Sequence, residues 1–125
     1  MKSYLDLEVY KLSLELFFAT HKFSLGLPKH EKYELGSQIR RSADSVNSNI
    51  VEGYGRRRYK KDFIRFLTFS YASNLETINH LRKIAKLYPD RKAEAVKLYY
   101  QYDELGKRLY SFTKYVSTNW KTTTD

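Results

Sequence analysis

Ala95-Val96-Lys97-Leu98-Tyr99-Tyr100-Gln101-Tyr102-Asp103-Glu104-Leu105-Gly106-Lys107-Arg108-Leu109-Tyr110-Ser111-Phe112-Thr113-Lys114-Tyr115-Val116 decides the fold. Its apolar members Ala95, Leu98, Tyr102, Leu105, Leu109, Phe112 and Val116 alternate steps of three and four over three heptads, which only a helix burying one stripe requires. Working backwards, Ile64, Leu67, Tyr71, Ile78, Leu81 and Ala85 predict a helix over 59–87, ended by Pro89-Asp90. Leu35, Ile39, Ala43, Val46 and Ile50 predict one over 31–54, with an acidic first turn and with Gly53 and Gly55 at its end. Leu5, Val9, Leu12, Leu16, Ala19 and Phe23 predict the first helix. It ends at Gly26, which suits a left-handed C-terminal residue, and Pro28 follows.

Four long helices joined by loops of a few residues make an all-α, antiparallel up-and-down four-helix bundle. The composition agrees, with fifteen leucines against five glycines and two prolines. A chain of 125 residues has room for one domain, expected over residues 1–120 with a polar tail over 121–125. With no cysteine, disulfide and thiolate-metal chemistry are excluded. No uninterrupted apolar stretch opens the chain, so a soluble, cytoplasmic protein that does not enter membranes is expected.

Two helices are apolar over more than one stripe. Leu7, Tyr10, Leu14 and Phe17 run beside the first ladder, and Phe63, Phe66 and Phe69 beside the third. Soluble monomers rarely expose large apolar patches, so these residues are expected to form a homo-oligomer interface, the alternative being a broad intramolecular core with partly exposed Tyr and Phe.

Catalytic and metal-binding patterns are missing. His21, His30 and His80 have no glutamate three residues before them, and Glu76 with His80 makes one isolated pair, read as a solvated helix face. No Gly-x-Ser-x-Gly elbow or Ser-x-x-Lys arrangement activates a nucleophile. The chain is therefore expected to be no enzyme and to carry no cofactor or metal.

Charge is the strongest local signal. The chain has 23 Lys and Arg against 14 Asp and Glu, a net charge of +9. Five of the six residues Arg56-Arg57-Arg58-Tyr59-Lys60-Lys61 are basic, and with Arg40, Arg41 and Arg65 they concentrate over half of that excess between 40 and 65. Arg56 to Arg58 suit the C-terminal end of a helix, but Lys60 and Lys61 fall in the first turn of the next, where the dipole disfavours cations. With Tyr54 and Tyr59 as stacking platforms, the cluster has the composition of a nucleic-acid contact. Small polar residues at 45–53 interrupt an otherwise helical stretch. They are read as a buried network in which Asn49 and Glu52 bond to Ser70, Ser73 or Glu76.

Gln38-Ile39-Arg40-Arg41-Ser42-Ala43, then Ser45-Val46, then Ser48-Asn49-Ile50-Val51-Glu52-Gly53 resembles the signature of the bacterial four helix bundle protein family. Its members include proteins encoded in intervening sequences of large-subunit ribosomal RNA genes, and they are related to accessory variability determinants of diversity-generating retroelements. Leu7-Glu8-Val9-Tyr10, Glu31 to Leu35, Phe63 to Leu67, and Ala72-Ser73 with Glu76 extend the resemblance, while Asn47, Val51 and Ala72 depart from it. The resemblance implies a homopentameric ring whose basic surface binds nucleic acid and, in the retroelement branch, a reverse transcriptase. A module docking an acidic protein or a reverse transcriptase, with nucleic-acid binding incidental, is the alternative.

Overall fold

The computed structural model describes residues 3–121, so residues 122–125 of the expected polar tail lie outside the described residues. The helices are α1 (Glu8–Leu25), α2 (Leu35–Gly55), α3 (Lys60–Leu87) and α4 (Lys92–Asn119), and no strand occurs among the described residues. Each packs on its neighbours in the ring order α1–α2–α3–α4–α1, with α3 fitted most extensively between α2 and α4. This is the expected antiparallel four-helix bundle. The α2–α3 turn lies at the same end as the start of α1 and the end of α4, and α3 and α4 each span about 42 Å at ~1.5 Å per residue.

Local hydrogen bonds move two boundaries and change the conformation at a third. Ser3 accepts from the Leu5 amide at 3.1 Å, and Asp6 accepts from the Ser3 amide at 3.3 Å. This reciprocal cap closes a short 3₁₀ turn over Tyr4–Asp6, so α1 starts after Leu5, which is left exposed. A second 3₁₀ turn takes Lys29–Glu31 out of α2, so the acidic residues expected in its first turn precede it. From there the buried Glu31 carboxylate still accepts the Leu35 amide at 3.4 Å, and it also accepts from the Tyr88 hydroxyl. Gly26 is not left-handed, its φ being −88°. Its missing side chain instead leaves space for the Arg91 guanidinium, which would lie 2.6 Å from a Cβ there and donates to the Phe23 carbonyl at 2.9 Å.

The core stripes of α2 and α4 are those the sequence predicts, with Leu35 and Phe112 half-buried at the margins. Those of α1 and α3 are shifted by one residue over part of their length. α1 buries Val9, Ser13, Leu16, Thr20 and Phe23, leaving Leu12 half-buried and Ala19 exposed. α3 buries Phe63, Leu67, Ser70, Asn74, Thr77, Leu81 and Ile84. Polar residues can occupy a seam when they find a partner, as Ser70, Thr77 and the amide nitrogen of Asn74 do. Thr77 Oγ1 donates to Ser42 Oγ at 2.8 Å, Ser70 Oγ to the Val46 carbonyl at 2.6 Å, and Asn74 Nδ2 to the Tyr102 carbonyl at 2.8 Å. Gly106 makes the last contact possible, since a Cβ there would stand 3.0 Å from Asn74 Nδ2.

Tyr102 ties α1 to α4. Thr20 Oγ1 donates to its hydroxyl at 2.6 Å, and that hydroxyl donates to the Leu16 carbonyl at 3.2 Å. Burial pushes the Tyr102 phenol far above the ordinary tyrosine range, more than the Thr20 bond lowers it, so it acts as a neutral donor. Tyr102→Phe strands the Thr20 hydroxyl and is expected to cost about 1–3 kcal/mol. Adding Thr20→Val removes the stranded group, so urea unfolding of the double variant should show a smaller loss than the sum of the singles.

Candidate nucleic-acid interface

The basic turn is built by the way α2 stops. The Arg56 amide donates to the Gly53 carbonyl at 3.0 Å and the Arg57 amide to that of Tyr54 at 3.1 Å, a tightened last turn. The Tyr59 amide then closes on the Arg56 carbonyl at 2.8 Å, and α3 begins with Lys60-Lys61-Asp62. Gly53 lets α3 come close, because a Cβ would meet Phe66 Cβ at 3.1 Å and the Phe63 carbonyl at 3.3 Å.

The six clustered cations differ in how far they are neutralised. Arg56 Nε donates to Glu52 Oε2 at 2.8 Å, its guanidinium stands 3.7 Å from Asp62, and it covers the Phe66 ring at 4.8 Å. The Glu52 hydrogen bond, ahead of the Asp62 charge, raises its pKa further. Arg65 pairs with Asp62 at 3.6 Å and also lies over Phe66. Arg57 lies 4.1 Å over the Tyr54 ring and donates to the Tyr54 carbonyl, helping to cap α2, while Arg58 lies over Tyr59. Lys60 and Lys61 have no carboxylate partner among the described residues. Tyr59, at 62% exposed, is free to stack; Tyr54, at 6%, is not, its ring being packed against Tyr4, Phe63 and Trp120 and covered by Arg57.

Arg40 and Arg41 do not join this cluster. They lie near the start of α2, and Arg41 precedes Arg56 by fifteen residues, about 22 Å along the helix. Arg40 is spent on structure, donating to Ser24 Oγ at 2.9 Å and the Lys32 carbonyl at 2.8 Å. Arg41 is exposed and unpaired among the described residues.

The polar network exists with different members. Asn49 Nδ2 reaches Ser45 Oγ at 2.9 Å, and Ser45 meets Ser73 at 2.8 Å, so Asn49 bonds to Ser73 only through Ser45. Glu52 turns away to Arg56, and Glu76 is exposed. The true seam pairs Ser42 with Thr77 and Ser45 with Ser73, hydroxyl against hydroxyl, and Ser70 with the Val46 carbonyl. Its signal in the sequence is serine and threonine at helical spacing on α2 and α3.

Of the expected interface residues, Leu7 is 2% and Phe63 0% exposed, so both belong to the core and cannot meet a second chain. Tyr10, Leu14 and Phe17 are half-buried, Phe66 lies under Arg56 and Arg65, and Phe69 is 45% exposed. Phe18 and Leu25, both exposed on α1, extend the apolar surface beyond what the sequence pattern predicted.

His80 departs most from its expected solvated role. It is 7% exposed, its Nδ1 is buried without a partner, and burial depresses its pKa against the opposing charge of Glu76. It lines a cleft of about 320 Å³ with Glu76 on α3 and Gln38, Arg41, Ser42 and Ser45 on α2. A hydroxyl, an imidazole and a carboxylate thus meet, but not as an activated nucleophile. Ser42 Oγ donates to the Ile39 carbonyl at 3.1 Å, and Ser45 is engaged by Ser73 and Asn49. A base that activates a serine must bond to its hydroxyl, and His80 bonds to neither. No helix among the described residues is long and apolar enough to cross a membrane.

A family profile described as 23S rRNA-intervening sequence protein matches residues 5–111. The fold is similar to the crystal structure of a protein of unknown function from the S23 ribosomal protein family of Bacteroides thetaiotaomicron. The TM-score is 0.74 at 24% identity, covering 85% of this chain and 98% of that one. No curated protein matches the sequence.

Proposed function

This chain belongs to the 23S rRNA-intervening sequence protein family, and from that premise we propose that it is a non-enzymatic, homo-oligomeric protein that grips the phosphate backbone of nucleic acid. The observation that carries the reading is the pair Lys60 and Lys61, unpaired at the N-terminus of α3 beside Arg57 and Arg58. Helix stability gains nothing from cations at that position, whereas a polyanion does. Arg56 and Arg65 are largely neutralised by Glu52 and Asp62 and serve to brace the turn over Phe66.

One turn offers few phosphate contacts, so affinity depends on repetition. The exposed Phe18, Leu25 and Phe69, with half-buried Leu14 and Phe17, supply apolar surface for joining copies. A ring of five would present five basic turns, and linked sites gain avidity without new contacts. The test has two readouts. Light scattering at micromolar protein is expected to give a mass several times 14.9 kDa, and a monomer mass overturns the oligomer. Filter binding of an RNA at 50 and 200 mM salt is expected to show steep loss of affinity. No binding at either salt, with capture of an acidic protein or a reverse transcriptase instead, overturns the nucleic-acid reading.

A further inference from the structure

The cleft between α2 and α3 gathers four polar side chains that have no hydrogen-bond or ion-pair partner among the described residues. Gln38 and Arg41 are three residues apart on α2; Glu76 and His80 are four apart on α3, facing them across about 320 Å³. That volume lies at the small end of ligand sites, which run to about 300–1,000 Å³. The floor is closed to further donation, because the Ser42 and Ser45 hydroxyls are occupied by Thr77, Ile39, Ser73 and Asn49. What remains is one cation with an adjacent amide, and opposite them one carboxylate beside a nearly buried imidazole.

These groups ask for two things of one ligand. Arg41 offers a planar fork of donors that matches phosphate oxygens, with the Gln38 amide as a further donor. Glu76 only accepts, and as a free anion it repels a phosphate unless the ligand brings a hydroxyl or amine to it. The imidazole of His80, its Nδ1 unsatisfied, adds an acceptor or donor on the same side. A phosphate with a hydroxyl close by on the same sugar satisfies both sides at once.

We propose that this cleft seats one ribonucleotide of a bound strand, with phosphate on Arg41 and Gln38 and the ribose 2′-hydroxyl on Glu76 and His80, and so selects RNA over DNA. The 2′-hydroxyl is the group by which a protein tells the two apart. With a deoxyribose in place, the Glu76 carboxylate faces the backbone with no donor to offset its charge. The inference rests on the nucleic-acid reading above and specifies its substrate. The cleft lies about 22 Å along α2 from the basic turn, six or seven nucleotides at ~3.4 Å each, so one short strand reaches both.

The test uses the intact protein and 12-nucleotide single strands of one sequence as RNA, DNA and 2′-O-methyl RNA, read by fluorescence anisotropy. RNA is expected to bind about tenfold more tightly than DNA, with the 2′-O-methyl strand, which cannot donate, behaving as DNA. Glu76→Ala, at an exposed position, is expected to bring the RNA-to-DNA ratio close to one, and Arg41→Gln to weaken both strands while keeping their ratio. Equal binding of RNA and DNA by the unmodified protein overturns this inference alone. So does a ratio that survives Glu76→Ala. Failure to bind either strand overturns the nucleic-acid reading with it.

Discussion

Phe63→Ala is expected to lower folding stability by about 3–5 kcal/mol, the range for removing a fully buried phenylalanine, whereas Phe69→Ala stays within about 0.5 kcal/mol. Both residues belong to the aromatic series of α3, yet they face different surroundings. Phe63 is buried edge-to-face among Tyr54, Phe112 and Trp120, with ring centroids 6.3, 5.9 and 5.1 Å away, and Gly53 admits its backbone against α2. This aromatic cluster lies beneath the basic turn and joins α2, α3, α4 and the residue after α4. Truncating Phe63 therefore leaves a cavity under Arg56 to Tyr59 that rigid helices cannot close. Phe69 touches Phe66 at 5.4 Å and otherwise faces outwards, so its loss is expected to appear in the oligomer mass. Urea unfolding followed by light scattering separates the two: a wild-type unfolding midpoint for Phe63→Ala would contradict its place in the core.

That contrast shows what could be read from the residues and what could not. α2 and α4 were legible because their buried positions are nearly all apolar, so hydropathy and burial coincide at Ile39, Ala43, Val46 and Ile50 and from Ala95 to Val116. In α1 and α3 the two separate. Ser13, Thr20, Ser70, Asn74 and Thr77 occupy core positions because each finds a hydrogen-bond partner, some on another helix, and hydropathy cannot register a partner some 24 to 82 residues away. Displaced by these polar members, the apolar ladder seemed to lie one residue to the side, and Leu7 and Phe63 consequently seemed to be surplus surface.

Charge was legible as composition and only partly as a site. The cluster from Arg56 to Lys61 does form one exposed turn. What the sequence could not show is the bookkeeping within it: Glu52 is one helical turn before Arg56, and Asp62 stands between Arg56 and Arg65, so two of the arginines are tied down. Arg40 looks like part of the same motif, yet it serves as a clamp on the far end of α1. The Gln38-to-Gly53 signature divides in the same way. Ile39, Ala43, Val46, Ile50 and Gly53 point inwards, while Gln38 and Arg41 open onto the cleft with His80.

The largest functional effect is therefore expected from four cations rather than eight. Changing Arg57, Arg58, Lys60 and Lys61 together to glutamine removes four cations of this turn, of which Lys60 and Lys61 have no carboxylate partner among the described residues, and leaves the Glu52–Arg56–Asp62–Arg65 bracing in place. Each phosphate contact on a single strand contributes about −0.7 to the slope of log affinity against log salt. If one copy engages all four, they contribute about −2.8 to the wild-type slope, and that share alone lowers affinity about 50-fold between 50 and 200 mM salt. The fourfold variant should keep only a shallow slope, about −0.7 for the Arg41 contact, so that its loss relative to wild type is about 50-fold greater at 50 than at 200 mM salt; a ring that engages several turns at once multiplies the slope and compounds the fold-change. Oligomer mass should stay unchanged, because none of the four lies on the exposed apolar surface of α1 or α3. Arg56→Gln is the control: with Glu52 released as its cation is lost, it is expected to shift the slope by less than one contact. A fourfold variant that keeps the wild-type slope would place the phosphate contacts elsewhere and leave the charge of this turn without a functional account.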